Sequence, residues 1–486
     1  MLDRLLVWTH RWVGIALCLF FAMWFASGAV MIYVPFPSLS HEEVLARTGT
    51  VNLQQVTIAP AQATFGIPPG SIDRLRLIDV NGQPVYAVHT HGAPVVVVNA
   101  TDGRRQEGFD SATAKAVAER FAGHSIGRID GPIVDDQWIV PNDFDAYRPF
   151  YRLHVENDAR TILYVSVRTG ELLQKTTARE RAWNYVGSVV HWIYPTVLRR
   201  HWALWDQVVW WLSLVGITVA IIGLWLGITR IVGRQRSGEW KLSHYRNWMK
   251  WHHMLGLFTG ALALTWIFSG WLSMDHNRLF SSPDPTDERL AKFRGIDLKE
   301  ASERVPLSSL SSLEPFAEAE IVPVGSKAFV STGSIGGNRV YIAHDGHLQD
   351  IGRVPDDAVE AAVRAAWPGI DTTLEHPGPD DAYMRLREST LPASTVRVVL
   401  KDAQHTWVHV DSATGAVLGV MDRSRRTYRW LFNGLHSLDF PGLANHRPLW
   451  DGVILAALLA GFSFSVTSVV IGFRRSRAKL RSARVE

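Results

Sequence analysis

The sequence has little cysteine, and four long stretches of it have almost no charge. Its one cysteine, Cys18, lies in an apolar run, which excludes a disulfide framework and a thiolate metal site. The formal net charge is only +4, and nothing indicates a nucleic-acid groove. No G-x-G-x-x-G motif follows a predicted strand, so a fused nicotinamide-binding domain is not expected. Any ligands of a metal or cofactor must therefore be side chains other than cysteine.

The four charge-poor stretches are residues 12–34, 207–229, 253–275 and 451–473. Each exceeds the ~20 apolar residues that cross a hydrocarbon core of ~30 Å. Many of the 20 tryptophans lie near the ends of these stretches, where the ring suits the membrane interface. The first stretch has no small-residue cleavage site and is predicted to be a signal anchor. The sequence therefore predicts four transmembrane helices.

Basic residues indicate the orientation of these helices. Segments 230–252 and 474–486 each carry six Lys or Arg residues, and segment 1–11 carries Arg4 and Arg11. Since short basic segments stay in the cytoplasm, both termini are predicted to be cytoplasmic. The long segments 35–205 and 276–449 then lie outside, in the periplasm of a bacterial inner membrane.

The chain also carries an internal repeat. At an offset of 242 residues the sequence repeats His10, Gly14, Ser27 and Gly28 as His252, Gly256, Ser269 and Gly270. At an offset of 245 it repeats His191, His201, Trp205, Asp206, Gly227 and Arg230 as His436, His446, Trp450, Asp451, Gly472 and Arg475. This pattern predicts a tandem duplication of helix, outer domain, helix. With two helices in each copy, the copies are parallel and related by a pseudo-two-fold axis along the membrane normal.

The outer segments are predicted to be α+β, in the order β-β-α-β-β. The strands predicted in the first copy are 85–88, 95–99, 151–155 and 162–167, with a helix at 112–121. Those predicted in the second copy are 340–343, 395–400 and 407–411, with a helix at 356–367.

Three histidine pairs recur at the repeat offset: His10/His252, His191/His436 and His201/His446. Neutral imidazole is a good axial ligand of haem iron, and a haem on the pseudo-axis would take one histidine from each copy. Zinc is a weaker alternative, because no carboxylate or thiolate recurs beside these histidines. The outer pairs could bind one haem, or two haems if His191 pairs with His446 and His201 with His436. The inner and outer sets would be ~35 Å apart at 1.5 Å per helical residue.

The chain resembles the PepSY-associated transmembrane family. The resemblance rests on the segments that begin at His10 and His252, on the strand-turn segments 162–170 and 407–415, and on Val-Val-His191 and Gly-Leu-His436-Ser. It covers nearly the whole chain and implies two periplasmic PepSY-like α+β domains. It also implies haem ligation by His10, His252, His191 and His436, with two haem b groups.

What the resemblance implies for function is electron transfer to iron outside the membrane. Members include iron-regulated inner-membrane proteins and haem-containing ferric-siderophore reductases. Some relatives carry a fused flavin and nicotinamide domain, whereas this chain ends thirteen residues after its last apolar run. The expected donor is therefore a separate cytoplasmic reductase or a quinol. An alternative is a membrane-anchored periplasmic protease inhibitor or chaperone without a cofactor, since PepSY modules resemble protease propeptides. A transporter is a third, weaker possibility, because the spans lack charges beyond their ends.

Overall fold

Four long helices dominate one part of the computed structural model, which describes residues 1–235, 242–386 and 389–482. In chain order, long helices 1 to 4 are Leu2–Met31, Trp202–Gln235, Asn247–Leu272 and Leu449–Ser482. Each is long and apolar enough to cross a membrane, and only 22–39% of its most apolar 18-residue window is buried within the protein. The remaining apolar side chains face outward, where hydrocarbon rather than water suits them. The chain is therefore an α+β membrane protein.

The long helices form a helical unit with the short segments next to them, made of Met1–Phe36, Glu180–Ser281 and Thr427 onward. Long helix 1 packs on long helix 4, long helix 2 on long helix 3, and long helix 3 on long helix 4. Small residues allow these close approaches, since a Cβ built on Gly461 would overlap the ring of Phe25. Arg236, Glu239, Lys241 and Arg484, which contributed to the predicted orientation, lie outside the described residues.

Short helices connect the ends of the long helices in this unit. They are Ala178–Val186, Ser188–His191, Thr196–Arg199, the 3-10 turn His276–Arg278, Arg423–Arg429, the π-helical turn Trp430–Gly434, Leu435–Ser437 and Pro441–Ala444. Two indoles fix the segments that carry His191 and His436. Trp205 Nε1 donates to the carbonyls of Trp192 and Ile193, and Trp450 Nε1 donates to the carbonyl of Ser437.

The remaining chain, Pro37–Arg179 and Ser282–Arg426, forms a sheet unit. Its largest element is an eight-stranded antiparallel sheet. The strands are β1 (Ile72–Val80), β2 (Gln83–Thr90), β3 (Val96–Asn99), β4 (Arg105–Gln106), β9 (Glu318–Val324), β10 (Lys327–Ser334), β11 (Gly337–His344) and β12 (His347–Asp350), in the order β12-β11-β10-β9-β1-β2-β3-β4. The two halves of the chain meet where β1 pairs with β9, with Leu75 opposite Ile321 and Arg76 opposite Glu320.

Two smaller sheets of four antiparallel strands complete the unit. The first contains β5 (Ile126–Ile133), β6 (Phe150–Val155), β7 (Ile162–Ser166) and β8 (Leu172–Thr176), and the second contains β13 (Thr372–Glu375), β16 (Thr395–Leu400), β17 (Trp407–Asp411) and β18 (Val417–Met421). Helix Ser111–Ala122 packs Ala114, Ala118 and Phe121 on the first, and helix Asp356–Ala366 covers the second with an equivalent apolar face. The other short elements are the pair β14 (Arg385–Leu386) and β15 (Ser389–Thr390), the helices His41–Leu45, Pro60–Ala63, Asp287–Arg294, Leu298–Glu303 and Leu307–Leu310, and the 3-10 turns Leu53–Gln55, Asn142–Tyr147 and Ala382–Met384.

The strands and helices predicted from the sequence are confirmed, but eleven of the eighteen strands in the described residues were not predicted, so the predicted order β-β-α-β-β is incomplete. Among the unpredicted strands are β1 and β9, which join the two halves. Strand β1 contains Arg76, which is only 4% exposed and pairs with Glu171 (2.8 Å) and Glu318 (3.3 Å). Burial alone would raise the pKa of Glu171, but the charge and hydrogen bond of Arg76 outweigh it and lower that pKa. Buried ion pairs therefore interrupt the apolar alternation by which a strand is recognised.

Acid should destabilise the sheet unit through His409. This side chain is fully buried, and its Nε2 accepts from Arg397 Nε at 2.9 Å. Burial, followed by the charge of Arg397, lowers its pKa to about 4. The unfolded chain binds a proton at this position below pH ~6.5, and the folded chain does so only below about pH 4. The stability that the neutral, buried ring of His409 contributes is therefore lost as the pH falls from the first value to the second.

We therefore expect His409→Gln to reduce the loss of unfolding free energy between pH 7 and pH 4 by on the order of 3 kcal/mol. Denaturant unfolding of the full chain at both pH values measures this. Exposed His347→Gln is the control and should change nothing. An unchanged pH dependence in His409→Gln would show that folding does not lower the pKa of His409.

Candidate functional site

One histidine pair lies between long helices 1 and 3. The ring centroids of His10 and His252 are 6.3 Å apart, with an interplanar angle of 41°. His10 Nδ1 lies 3.2 Å from the carbonyl of Val219, which can only accept, so this nitrogen carries the proton. The pair comprises one histidine from each predicted copy.

Hydroxyl groups fix the proton of His252 in the same way. Its Nδ1 lies 3.2 Å from both Thr467 Oγ1 and Ser468 Oγ. Both hydroxyls donate their hydrogen to the carbonyl of Phe464, at 2.6 and 3.4 Å. Since a hydroxyl has a single hydrogen, their oxygens are left to accept from His252 Nδ1.

A cavity of about 310 Å³ surrounds this inner pair, and glycines supply much of its wall. A Cβ on Gly223 would lie 2.5 Å from His10 Cε1, so only glycine leaves this ring its place. His253 also lines the cavity, but its Nε2 bonds the Gly227 carbonyl at 3.2 Å. The other glycines of the lining are Gly14, Gly227, Gly256 and Gly260.

A second pair, His191 and His436, has ring centroids 6.2 Å apart and an interplanar angle of 78°. His191 Nδ1 lies 2.9 Å from Ser27 Oγ, and His436 Nδ1 lies 3.0 Å from Ser269 Oγ. Each serine donates its own hydrogen to a carbonyl of its helix, Met23 for Ser27 and Trp266 for Ser269. Both histidines therefore also carry their proton on Nδ1.

Glycine lies against both outer rings as well. A Cβ on Gly28 would lie 3.6 Å from His191 Cε1, and one on Gly270 would lie 3.4 Å from His436 Cε1. The recurring Ser-Gly sequence thus places a hydroxyl and a bare backbone beside each ring. The repeat of these serines and glycines is visible in the sequence, but their contacts with His191 and His436 are not. The signal that could have indicated the contacts is the recurrence of a hydroxyl residue in both copies together with the repeated histidines.

The four imidazoles share one protonation pattern. Each has its Nδ1 occupied, and within the described residues no Nε2 of the four has a hydrogen-bond partner. A metal ion bonded to two imidazole nitrogens at about 2 Å each places their ring centroids roughly 6 Å apart. The observed 6.3 and 6.2 Å fit that requirement. The spacing of each pair is therefore compatible with one metal ion between the two rings.

The third predicted pair is not brought together. His201 and His446 are exposed, and His201 Nε2 accepts from the neighbouring Arg200 Nε at 3.3 Å. In the described part of the chain neither ring contacts another histidine ring, so the crossed arrangement with His191 and His436 is also not seen. His89 and His91, which are two residues apart in the sequence, do not form a site together either, since His89 bonds Arg76 and His91 bonds Asp73.

No metal site made of protein ligands alone is present among the residues that the structure describes, where no three His, Cys, Asp or Glu side chains cluster suitably. A zinc ion would thus lack ligands at either pair. Comparisons with known proteins add no relative: no protein-family model matches the chain, and no curated protein is significantly similar to it.

Proposed function

We propose that the chain is a haem-b transmembrane electron-transfer protein that reduces ferric siderophore iron in the periplasm. The observation that carries this proposal is the spacing of the two imidazole pairs, in which Nδ1 is bonded and Nε2 is left free. Two opposed nitrogen ligands suit iron whose other four ligands come from a porphyrin. When bound, haem supplies one-electron exchange between Fe(III) and Fe(II).

The residues present fit two haem groups. His10 and His252 would hold one, and His191 and His436 the other, and the glycines beside His10, His191 and His436 leave these rings their place. The cavity at the inner pair would give a flat macrocycle its space there. The bonds to Nδ1 fix each ring and its tautomer and strengthen the donor nitrogen, as outer-shell partners of metal-bound histidines do. Among the described residues the same pairs lack the third protein ligand that a zinc site needs.

Matched contacts support the tandem duplication. Gly223, which contacts His10, and Ser468, which bonds His252, are 245 residues apart. The β1–β9 register is symmetric under the same offset, because Leu75 pairs with Ile321 and Arg76 with Glu320, and residues 320 and 321 are the counterparts of 75 and 76. Such a self-complementary pairing is what a two-fold axis between the copies produces.

The smaller sheets support the PepSY-like assignment of the outer domains. Arg152 bonds Asp130 and Asp136 at 2.8 Å each. Their counterparts at an offset of 245 form the same network, in which Arg397 contacts Asp381 at 2.7 Å and Glu375 at 3.8 Å. Each predicted copy thus contains a four-stranded sheet, a covering helix and an arginine paired with two acids, and this arginine is buried in the second copy and partly buried in the first.

The distance between the two pairs is shorter than the ~35 Å expected from the sequence. His191 packs beside Ser27, which is seventeen residues from His10 on the same helix, or about 26 Å at 1.5 Å per residue. Aromatic rings occupy part of this interval: Phe21 lines the inner cavity, its ring lies 6.0 Å from that of Trp24, and Trp24 Nε1 donates to the His191 carbonyl at 2.9 Å. This chain of contacts supports transfer between the pairs.

In this proposal electrons enter at the cytoplasmic side from a separate reductase or from quinol. The basic segments support cytoplasmic termini, an inner-membrane location and a periplasmic sheet unit. The acceptor would be a ferric siderophore, whose hard oxygen ligands hold Fe(II) less tightly than Fe(III). A cofactor-free inhibitor or chaperone is the rival function, and it gives no role to the paired imidazoles.

Purification from haem-replete cells tests the proposal directly. We expect a red protein with a Soret band, sharp α-bands on dithionite reduction and two haem b per chain. The reduced protein should also release Fe(II) from a ferric siderophore to a ferrous chelator. A colourless preparation would favour the inhibitor or chaperone.

Single histidine variants test the pairing. His10→Gly and His252→Gly should remove the same low-spin spectral component, and His191→Gly and His436→Gly should remove the other. Added imidazole should restore each component, which separates ligand loss from misfolding. His201→Gly and His446→Gly are controls that leave both components intact. The pairing is wrong if His10→Gly and His252→Gly affect different components.

Ser27→Ala tests the orienting hydrogen bond. Without this acceptor the imidazole of His191 is a weaker donor, so ferric iron is less stabilised. We expect a higher midpoint potential for the outer haem alone and roughly ten-fold weaker haem retention. Thr218→Ala removes an exposed hydroxyl that bonds only its own helix, and it should leave potentials and retention at wild-type values. Equal effects of the two substitutions would argue against ligation by His191.

A further inference from the structure

Three arginines line the inner cavity, namely Arg11, Arg230 and Arg475, each of which is also exposed. Among the residues that the structure describes, the cavity lining contains no aspartate or glutamate. Within the described chain none of the three forms an ion pair with a carboxylate. Arg11 and Arg475 lie near enough to repel each other electrostatically. Most of the remaining lining is apolar, so the cavity combines an apolar interior with unneutralised guanidinium groups.

The arrangement of two of these arginines follows the repeat. Arg230 lies seven residues after Gly223, the position that contacts His10. Arg475 lies seven residues after Ser468, which bonds His252. Seven residues are two helical turns, or about 10 Å along each helix. The cavity therefore has two equivalent guanidinium groups, each about 10 Å along its helix from a contact of an inner histidine.

Positive charges at the cytoplasmic end of a transmembrane helix commonly serve orientation alone. That role does not require them to line a cavity, and Arg474, the neighbour of Arg475, instead lies over the ring of Trp248. An apolar cavity with two symmetric cations is complementary to an apolar molecule with two anionic groups. Arginine is well suited to such groups, because its planar donors bind a carboxylate in a bidentate manner.

We infer that Arg230 and Arg475 each bind one carboxylate of a dianionic, flat amphiphile in the inner cavity, with Arg11 adding to the local positive potential. This inference rests on the proposed function, under which the amphiphile is haem and the carboxylates are its two propionates. A lipid phosphate offers similar chemistry from a different source. The arginines would then fix which edge of the macrocycle faces the cytoplasmic end.

Reconstitution with haem and its uncharged diester tests this inference. The full chain carrying His191→Ala, so that only the inner pair binds, is produced in haem-deficient cells and placed in zwitterionic nanodiscs. Affinities for haem b and for haem dimethyl ester are measured by Soret titration. We expect haem b to bind at least ten-fold more tightly than the ester. Arg230→Gln and Arg475→Gln should each lose most of this preference, and Arg474→Gln should keep it.

The outcomes separate the inference from the proposed function. Equal affinity for haem b and its ester, or an unchanged preference in Arg475→Gln, would overturn the inference while leaving haem ligation intact. Binding of neither compound would overturn both. A titration in phosphatidylglycerol nanodiscs identifies the lipid source: if the arginines stabilise the protein only in anionic lipid and the haem preference is unaffected, they bind lipid phosphate and the inference fails.

Discussion

The structure depends most on the hydrogen bonds that hold Nδ1 of four histidines inside a helical unit with few other polar groups. In such surroundings an unpartnered polar atom is costly, about 1–3 kcal/mol for each buried group. Val219, Ser27, Ser269, Thr467 and Ser468 remove that cost at Nδ1 and leave the lone pair of each ring on Nε2. The ring spacing of each pair is compatible with one metal ion between the two rings.

Contacts within one predicted copy orient each histidine, and contacts between the two predicted copies bring each pair together. Each Nδ1 is bonded within its own predicted copy: Val219 holds His10, and Ser269 holds His436. Each pair, however, forms only when a ring of one copy meets a ring of the other. The eight-stranded sheet is built in the same way. Each predicted copy supplies four strands, and the β1–β9 pairing joins the two sets. One predicted copy alone would therefore have oriented histidines without partner rings, and its strand β1 or β9 would have an unpaired edge.

Local patterns predicted the four long helices, seven of the eighteen strands in the described residues and the identity of the repeated histidines, because apolar runs and periodicity follow from burial of single elements. They could not choose between His191/His436 and His201/His446. Only ten residues separate His191 from His201, and the choice depends on the tight turn that Trp205 fixes between them. Strand β1 was not predicted for a related reason. It carries the charged Arg76, and the acids that neutralise Arg76, Glu171 and Glu318, are distant from it in sequence.

The two predicted copies differ in the aromatic residues near the histidine pairs. Phe21 and Ala263 are counterparts at an offset of 242, and both line the inner cavity, but only Phe21 extends an aromatic series to Trp24. Trp24 then donates to the His191 carbonyl, whereas the counterpart indole nitrogen of Trp266 has no hydrogen-bond partner among the described residues. A duplicated protein with identical copies would have two equal routes between its histidine pairs. Here Trp24 contacts Phe21 and the His191 segment, whereas Trp266 packs on Phe25 at 5.6 Å. The two predicted copies therefore offer different series of aromatic contacts between the histidine pairs.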